Sequence, residues 1–571
     1  MNSIAFYADG SSYLFEKRFD GKSAFERAMR FADGLMADGL ADNAGIFVPE
    51  KIHQELQEAL GGFSIKIPVE TIVAPEWGAH GFVIELSSWV QKKADKGESR
   101  TVIFALASCP FYDTARTRDL LAHHKKYASE FTFAEGYAEG LVPAVIDAGA
   151  LRSLAELAKQ SAESNRSDSA CPERSRMSEP RIDSRVLFEV MKSNINSFEV
   201  ETIIAERDAR FYRFDFSCVS KRQTIACERL FYKAQKRGIF ADGAKPFADD
   251  LCALAVESPE VQRTVPSFYA LQISSAARDN PVYSPYYEEY AKKFGHAPDE
   301  AAQKNTACFM PLDTVKKILC EASEFSGEAV VSLSAWGEPL FHPDIERIIE
   351  AALSYSGLSL LIETDGSLVT QEFAVRVRQI ADAAPPRTNG HEKIYWIAEV
   401  DAMDEDMYRK MRRETGPEDA QGVPSLEKAR TAYEILRGQF GGAAYPQFLR
   451  TIVNEGQLEV FYRHYKEKGN VIIQKYDHFC GRLPDLRPAD LSPLDRYPCW
   501  HLTRGMVILA DGGVPLCREY VLDALPGINA VTGSIESAWQ KTGEAAGAGD
   551  AAFVKPREEC GKCDEYYTFN F

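Results

Sequence analysis

Residues 329–367 have the sequence AVVSLSAWGEPLFHPDIERIIEAALSYSGLSLLIETDGS. Two short apolar runs, AVVSLSAWGEPL and LSLLIETDG, flank the segment DIERIIEAALSYS, whose apolar residues recur at the spacing of one helix face. A strand, a helix and a second strand in this order form a βαβ unit, in which the two strands are parallel. The stretch therefore predicts an α/β fold.

The same alternation continues on both sides of this unit, and repeated βα units predict a full or partial βα-barrel over residues 265–481. Function is then expected at the carboxyl ends of the strands. The further strands predicted are SFYALQIS (267–274), KIYWIAEVDA (393–402), YPQFLRTIVN (445–454) and NVIIQKYD (470–477), and the further helices are DTVKKILCEASEF (313–325) and SLEKARTAYEILRGQF (425–440).

Residues 1–260 contain a second alternation of strands and helices, which predicts a separate α/β domain. Its strands are predicted at 3–8, 44–49, 67–74 and 100–107, and its helices at 21–40 and 80–94. The Ser-, Arg- and Glu-rich segment 160–185 has few large apolar residues, so we expect a disordered insertion that exposes Cys171.

The bulk composition excludes several classes of protein. A chain of 571 residues is too long for one core, and three domains are expected. The net charge of −18 argues against nucleic-acid binding. The first residues lack the features of a signal peptide, and no apolar run is long enough to span a bilayer. We expect a cytoplasmic protein with reduced thiols and an unidentified protein or peptide partner.

Four cysteines near the end of the chain, Cys499, Cys517, Cys560 and Cys563, have the spacing of ligands to one metal centre. A CxxC pair places two thiolates on one turn, and each distant cysteine adds one more. Their spacing alone leaves an iron–sulfur cluster, a structural Zn²⁺ and four metal-free buried thiols open. Cys480 could add a fifth ligand, although a buried core cysteine is expected there.

The barrel region resembles radical S-adenosylmethionine (SAM) enzymes. Gly337-Glu338-Pro339 resembles their GEP motif, IETDGSL resembles their T-N-G-x-L strand with Asp365 in the Asn position, and EVDAMDEDMYRKMR (399–412) resembles their S-x-D-G…Y-x-x-x-R segment. The resemblance implies that residues 337–339 are a vestigial SAM motif.

That family holds its catalytic [4Fe–4S] cluster on a CxxxCxxC loop after the first strand. The three cysteine positions are Ala277, Pro281 and Ser284 in this chain. Alanine and proline have no ligand atom, so the radical-generating cluster should be absent and SAM binding is not expected.

The front of the chain resembles cytidylyltransferases that make CMP-sugars. Gly10 and Lys17 match their phosphate-binding loop, whereas Tyr13 occupies the place of its arginine. In IFALASCPFYD (103–113), Ser108 occupies the place of the aspartate that holds Mg²⁺, while Cys109, Pro110 and Asp113 match. The resemblance implies a degenerate nucleotidyltransferase-like (Rossmann-like) domain with a vestigial nucleotide loop.

Residues 482–571 resemble a SPASM domain, a cluster-binding extension of radical SAM enzymes, with Asp511-Gly512 suited to a hairpin turn. The whole chain resembles spiro-SPASM proteins. The leading hypothesis is a non-catalytic protein with one auxiliary-type [4Fe–4S] cluster, acting as a scaffold or electron carrier. The alternatives are an enzyme of altered chemistry (a nucleotidyl or sugar-nucleotide transferase, or a SAM-dependent peptide-modifying enzyme) and a zinc-stabilised interaction protein. Core packing is predicted for Cys218, Cys227, Cys252, Cys308 and Cys320.

Overall fold

The structure is a computed structural model, and it describes residues 2–94, 101–167, 180–240, 246–303, 308–413, 425–547 and 553–568. The chain forms two compact units, Met1–Gln262 and Arg263–Phe571. Within the described residues each unit contains a seven-stranded sheet flanked by helices. The predicted α/β class is therefore confirmed, whereas a separate domain over 482–571 stays a prediction.

The sheet of the first unit has the strand order β3-β2-β1-β4-β6-β5-β7. Strands β1 to β4 are mutually parallel, and β6 runs antiparallel to both of its neighbours. The carboxyl ends of β1, β2 and β4 therefore meet at one edge. The strands are β1 (Ser3–Tyr7), β2 (Asn43–Pro49), β3 (Val69–Ala74), β4 (Thr101–Leu106), β5 (Phe131–Glu135), β6 (Ala144–Asp147) and β7 (Val200–Ile204).

Two helices of the first unit illustrate how a capping side chain starts a helix. Ser23 caps the first helix by accepting a hydrogen bond from Glu26 N at 3.1 Å, and Asp113 caps the fourth helix through Ala115 N at 2.8 Å. The helices are α1 (Ala24–Ala37), α2 (His53–Gly61), α3 (Ala79–Ala94), α4 (Thr114–Lys126), α5 (Ala148–Ser167), α6 (Val186–Met191), α7 (Lys221–Lys236) and α8 (Ala248–Glu257).

The predicted disordered insertion at 160–185 is wrong at both of its ends. Helix α5 continues to Ser167, because the polar residues after position 160 extend a helix that is already packed. Ile182 is buried in the core that also holds β1. Residues 168–179, with Cys171, lie outside the described residues.

The second unit contains a parallel half-barrel sheet with the order β13-β12-β11-β10-β9-β8-β14. Strand β10 is buried on both faces, as expected for a parallel sheet covered by helices. The strands are β8 (Phe268–Leu271), β9 (Ala329–Ser332), β10 (Leu358–Thr364), β11 (Ile394–Glu399), β12 (Ala444–Arg450), β13 (Ile472–Lys475), β14 (Gly505–Ile508), β15 (Gly513–Pro515) and β16 (Ala524–Asn529).

Amphipathic helices cover this sheet. In the helix between β9 and β10, Ile345, Ile348 and Ile349 are buried on one face, and each fully buried side chain of this size stabilises the fold by about 1.5–3 kcal/mol. The helices are α9 (Tyr286–Phe294), α10 (Pro298–Gln303), α11 (Leu312–Ser326), α12 (Ile345–Leu353), α13 (Gln371–Ala383), α14 (Glu405–Arg412), α15 (Leu426–Phe440), α16 (Leu458–Lys466), α17 (Trp500–Arg504) and α18 (Ile535–Gly547).

The segment after residue 482 shares its packing with the half-barrel. Strand β14 extends the large sheet beside β8, while β15 pairs with β16. The turn predicted at Asp511-Gly512 is present, with Gly512 at φ +81°, but it joins strands of two different sheets. Trp539 of α18 is buried and donates from Nε1 to Thr264 O at 2.9 Å. The C-terminal segment is therefore built into the second unit.

The structure also bears on membrane insertion. None of the described helices combines the length and the apolar character needed to cross a lipid bilayer.

Candidate functional site

Five cysteines of the second unit line one cavity of about 30 Å³, which we call the cysteine pocket: Cys480, Cys499, Cys517, Cys560 and Cys563. Each lies on a short turn or at a helix start. Cys499 precedes α17, Cys517 follows β15, and Cys560 lies in a 3₁₀ turn near the end of the chain. The structure thus brings together the four cysteines that the sequence singled out, and it adds Cys480.

The last residues of the chain are tied to this pocket by main-chain and guanidinium hydrogen bonds. Cys499 N donates to Phe553 O at 2.7 Å, and Trp500 N donates to Tyr566 O at 3.0 Å. Arg496 donates to Val554 O at 2.9 Å and to Cys563 O at 3.0 Å. These contacts hold the CxxC turn against Cys499 and the start of α17.

Burial dominates the ionisation of most thiols in the cysteine pocket. It raises the pKa of Cys499 to about 12, and together with the charge of Glu519 it raises the pKa of Cys517. Cys563 behaves differently, because a hydrogen bond from Cys480 lowers its pKa although burial opposes the effect. The main-chain N–H of Glu565 also donates to Cys563 Sγ at 3.3 Å. Hydrogen bonds from Cys480 and from Glu565 N therefore favour the thiolate form of Cys563.

Cys480 and Glu519 are the site residues that sequence reasoning undervalued or missed. Cys480 Sγ lies 3.8 Å from Glu519 Oε2, and the ligand atoms of these two residues and Cys563 all lie within 4.8 Å of one another. Cys480 is half-buried at φ +56°, so it is not the core residue that was expected. The only signals available in the sequence were the proximity of Cys480 to the terminal module and a carboxylate two residues after Cys517.

A second cavity, of about 120 Å³, lies at the carboxyl ends of the half-barrel strands and is called the strand-end pocket. It is lined by Ala277, Pro281 and Ser284 and by Gly337 and Glu338. The positions that would carry the three cysteines of a radical SAM cluster therefore meet the GEP-like motif in space. None of the three offers a thiolate.

The carboxyl group of Glu338 accepts hydrogen bonds from residues that follow β9 and from the end of β10. Its Oε1 accepts from Leu340 N at 3.1 Å and from Thr364 Oγ1 at 2.9 Å, and its Oε2 accepts from Asp365 N at 3.1 Å. Burial, followed by the charge of Asp365, raises its pKa well above the ordinary range. The carboxyl group thus ties β9 to β10.

One buried guanidinium serves three carboxylates beside the strand-end pocket. Arg412 donates to Asp279 at 2.5 Å, to Glu399 at 2.8 Å and to Asp401 at 2.9 Å. Tyr283 also donates from its hydroxyl group to Asp401, at 2.7 Å. The Tyr-x-x-x-Arg segment of the sequence therefore supplies the main cation of this end of the sheet.

Arg518 lines both pockets, because it directly follows Cys517 and reaches the strand ends. Burial disfavours its charge, but Asp477, Glu363 and further carboxylates outweigh burial and raise its pKa. Its guanidinium lies 5.3 Å from the ring centre of Phe479 and 5.7 Å from that of Trp336. A change of charge on Cys517 would therefore occur next to a residue that lines both pockets.

At the sheet edge of the first unit, Gly10 follows β1 with φ +81°, and a Cβ atom there would collide with Lys51 Cε. Lys51 follows β2, whereas Lys17 is exposed. Sequence reasoning missed Lys51 because it lies about forty residues from the loop, and only the pairing of β1 with β2 brings it there. Asp113, expected from the resemblance, caps α4 and also accepts from Ala248 N at 2.9 Å.

Comparison with known proteins gives relatives in Treponema pallidum. An uncharacterized protein of Treponema pallidum (strain Nichols) is 36% identical over 389 residues, which cover 67% of this chain and 98% of that protein. This chain belongs to the same family as the Treponema protein. No protein-family model matches the chain.

Two solved structures show weaker likeness. A cytidylyltransferase from Leptospira borgpetersenii serovar Hardjo-bovis covers 46% of this chain and 95% of its own, at 13% identity and a TM-score of 0.31. SuiB of Streptococcus suis, bound to the precursor peptide SuiA, covers 64% of this chain and 88% of its own, at 11% identity and a TM-score of 0.37. The neighbours thus include the two coarse enzyme types that the sequence resembles, and scores this low carry no argument about function.

The cysteines outside the cysteine pocket follow the sequence prediction in part. Cys218, Cys227 and Cys252 are buried, as predicted. Cys308 is exposed and Cys320 is half-buried, so the core prediction is wrong for both. Cys308 lies in the loop before α11, and Cys320 lies on α11 close to Glu324 at 3.4 Å, away from the buried face of that helix.

Proposed function

We propose that this protein binds one [4Fe–4S] cluster on Cys499, Cys517, Cys560 and Cys563 and does not itself generate a SAM radical. The observation that carries the proposal is the convergence of these four thiols on one cavity. An all-thiolate donor set suits an iron–sulfur cluster, and a hydrogen bond to a ligand sulfur, such as that from Glu565 N to Cys563, is a known way to stabilise one.

A cluster held by four cysteines leaves no iron open to a substrate, so it suits a structural or electron-transfer role. The residues at the strand-end pocket also support a protein that carries one cluster and does not cleave SAM. Ala277, Pro281 and Ser284 supply no thiolate for a second cluster, and both carboxylate oxygens of Glu338 already accept hydrogen bonds from the protein. We infer a scaffold or electron carrier that works with a protein or peptide partner.

Zinc is the second candidate. The ligand atoms of Cys480, Glu519 and Cys563 are gathered within 4.8 Å, and a cavity of about 30 Å³ is closer in size to a single ion than to four irons and four sulfides. Thiolates and a carboxylate are ordinary Zn²⁺ ligands. This arrangement would place the metal on a donor set that includes Cys480.

Cysteine variants of the full-length protein, purified without oxygen, test the proposal. The double change Cys560→Ala and Cys563→Ala should abolish bound iron, inorganic sulfide and visible absorbance, because two of four ligands are lost. The matched control Cys320→Ala removes a half-buried thiol on α11 and should leave all three unchanged. Retention of iron by the double variant would contradict the proposed ligand set.

A further inference from the structure

Two acceptor atoms at the strand-end pocket have no hydrogen-bond partner among the described residues. They are Asp365 Oδ2 and Gln447 Oε1, and both side chains line the cavity while only 3% and 2% exposed. Asp365 Oδ1 is already used, since it accepts from Ser367 N at 2.7 Å. A buried polar atom without a partner is costly, so this end of the cavity favours a ligand that donates hydrogen bonds.

The charges around these atoms favour a cationic donor. Arg518 is the one basic side chain among the lining residues. Five carboxyl groups also line the cavity, those of Asp279, Glu338, Glu363, Asp365 and Glu399. The neighbouring Arg412 is engaged by Asp279, Glu399 and Asp401. Asp365 forms no ion pair among the described residues, and an unpaired buried carboxylate is costly.

The walls suit the hydrocarbon part of such a ligand. Trp336 and Tyr286 stack with ring centres 5.8 Å apart and an interplanar angle of 9°, and Tyr283 and Tyr287 complete an aromatic lining. Aromatic faces attract ammonium groups. Trp336 Nε1 is also without a partner among the described residues, so it can donate to an acceptor atom on the ligand.

Size and spacing narrow the ligand class. A volume of about 120 Å³ is close to that of a cavity that holds benzene, at about 150 Å³, and well below the roughly 300–1,000 Å³ of cofactor pockets. Within the described residues, the groups of three His, Cys, Asp or Glu ligand atoms gathered within 4.8 Å lie elsewhere, so the pocket carboxylates are too dispersed for a compact metal site.

We propose that the strand-end pocket binds a primary alkylammonium group, with Asp365 and Gln447 as its acceptors. The group can belong to a free amine or to a lysine side chain of a peptide, since both present the same chain and charge. Glu338 contributes by holding β9 to β10, and Glu399 adds negative potential. The site therefore differs from a SAM site in its acceptors and in its size.

Calorimetric titration of the full-length protein tests this site with n-butylammonium, its neutral analogue 1-butanol, SAM, and acetylated Gly-Lys-Gly and Gly-norleucine-Gly amides. We expect binding of n-butylammonium and of the lysine peptide, and no heat with 1-butanol, the norleucine peptide or SAM. Whichever of the two amines binds more tightly identifies the source of the group. Equal binding of 1-butanol and n-butylammonium, or no binding of either amine, overturns the proposal.

Two variants assign the acceptors. Asp365→Asn and Gln447→Leu should each weaken n-butylammonium binding by about tenfold or more, because a hydrogen bond to a charged group is lost. The control Asp313→Asn makes the same chemical change at an exposed position on α11 and should leave affinity unchanged. Unchanged affinity in a folded Asp365→Asn protein also overturns the proposal. If a variant fails to fold, the comparison of n-butylammonium with 1-butanol on the wild-type protein still tests it.

Discussion

Cys480 Sγ lies 3.8 Å from Glu519 Oε2, inside the cavity that also holds the four terminal cysteines. This pair distinguishes the iron–sulfur proposal from the zinc proposal, because a four-cysteine cluster does not need Cys480 as a ligand whereas the zinc arrangement does. It lies beside the strand-end pocket, since Arg518, which precedes Glu519, lines both cavities.

The first prediction concerns Cys480. If the cluster is held by Cys499, Cys517, Cys560 and Cys563, the change Cys480→Ala should leave iron and sulfide content unchanged, measured on protein purified without oxygen. The loss of a metal-binding thiolate in the zinc arrangement should instead reduce zinc content. A large loss of iron from the Cys480 variant would show that the four-cysteine set is incomplete.

The second prediction concerns Arg412. The change Arg412→Met leaves the buried Asp401 and the partly buried Asp279 and Glu399 without their cation, which should destabilise the protein by about 3–5 kcal/mol. Thermal melting followed by circular dichroism measures the effect. Arg413→Met is the matched control, because its ion pair with the half-exposed Glu288 is worth about 0–1 kcal/mol. Similar melting temperatures for the two variants would contradict the conclusion that Arg412 stabilises the fold by neutralising these three carboxylates.

The third prediction concerns pH. Burial raises the pKa of Glu363 to about 7, while Arg518 opposes the shift and Glu399 adds to it. A carboxyl group whose folded-state pKa is raised contributes stability that is present below its ordinary pKa and is lost as the pH rises through 7. The wild-type protein should therefore lose on the order of 3 kcal/mol from this group between pH 4.5 and pH 8.

Glu363→Gln removes that dependence. The variant should melt at a higher temperature than the wild-type protein at pH 8, and the difference should shrink toward pH 5. Glu372→Gln, an exposed change on α13, is the control and should not alter the pH profile. A Glu363 variant that is less stable than the wild-type protein at pH 8 would refute the cost assigned to the buried charge.

The fourth prediction compares two glycines with nearly equal left-handed φ angles, Gly337 at +76° and Gly295 at +77°. A Cβ atom at Gly337 would collide with the main-chain oxygen of Ser274 and lie 3.0 Å from that of Ala276, while Gly295 has open space. Gly295→Ala should cost about 1–2 kcal/mol from backbone strain alone. Gly337→Ala should lower the melting temperature considerably more, and equal losses would contradict the close approach of these chain segments.

The sequence predicted the α/β class and most strands of both sheets, because apolar periodicity is a local signal. Ligand spacing, another local signal, singled out four cysteines that line one cavity, and their role as metal ligands stays a prediction. It did not predict that β14 lies beside β8. Their pairing joins Gly505 to Phe268 across more than two hundred residues, and nothing in the sequence of either strand indicates which strand it pairs with.

The same limit applies to the candidate sites. Lys51 lies beside the Gly10 turn, and Gln447 lines the strand-end pocket, only because strand ends from distant parts of the chain converge, so no spacing rule singles them out. The helix through Ser167 was missed for another reason. Its polar composition resembles that of a disordered segment, whereas a helix already anchored by packing continues at little cost.

The most direct test of the central claim is the iron, sulfide and zinc content of the full-length protein purified without oxygen. The account predicts about four irons and about four sulfides per chain, one cluster and no more. About one zinc per chain without iron, or about eight irons with cleavage of added SAM, would contradict it.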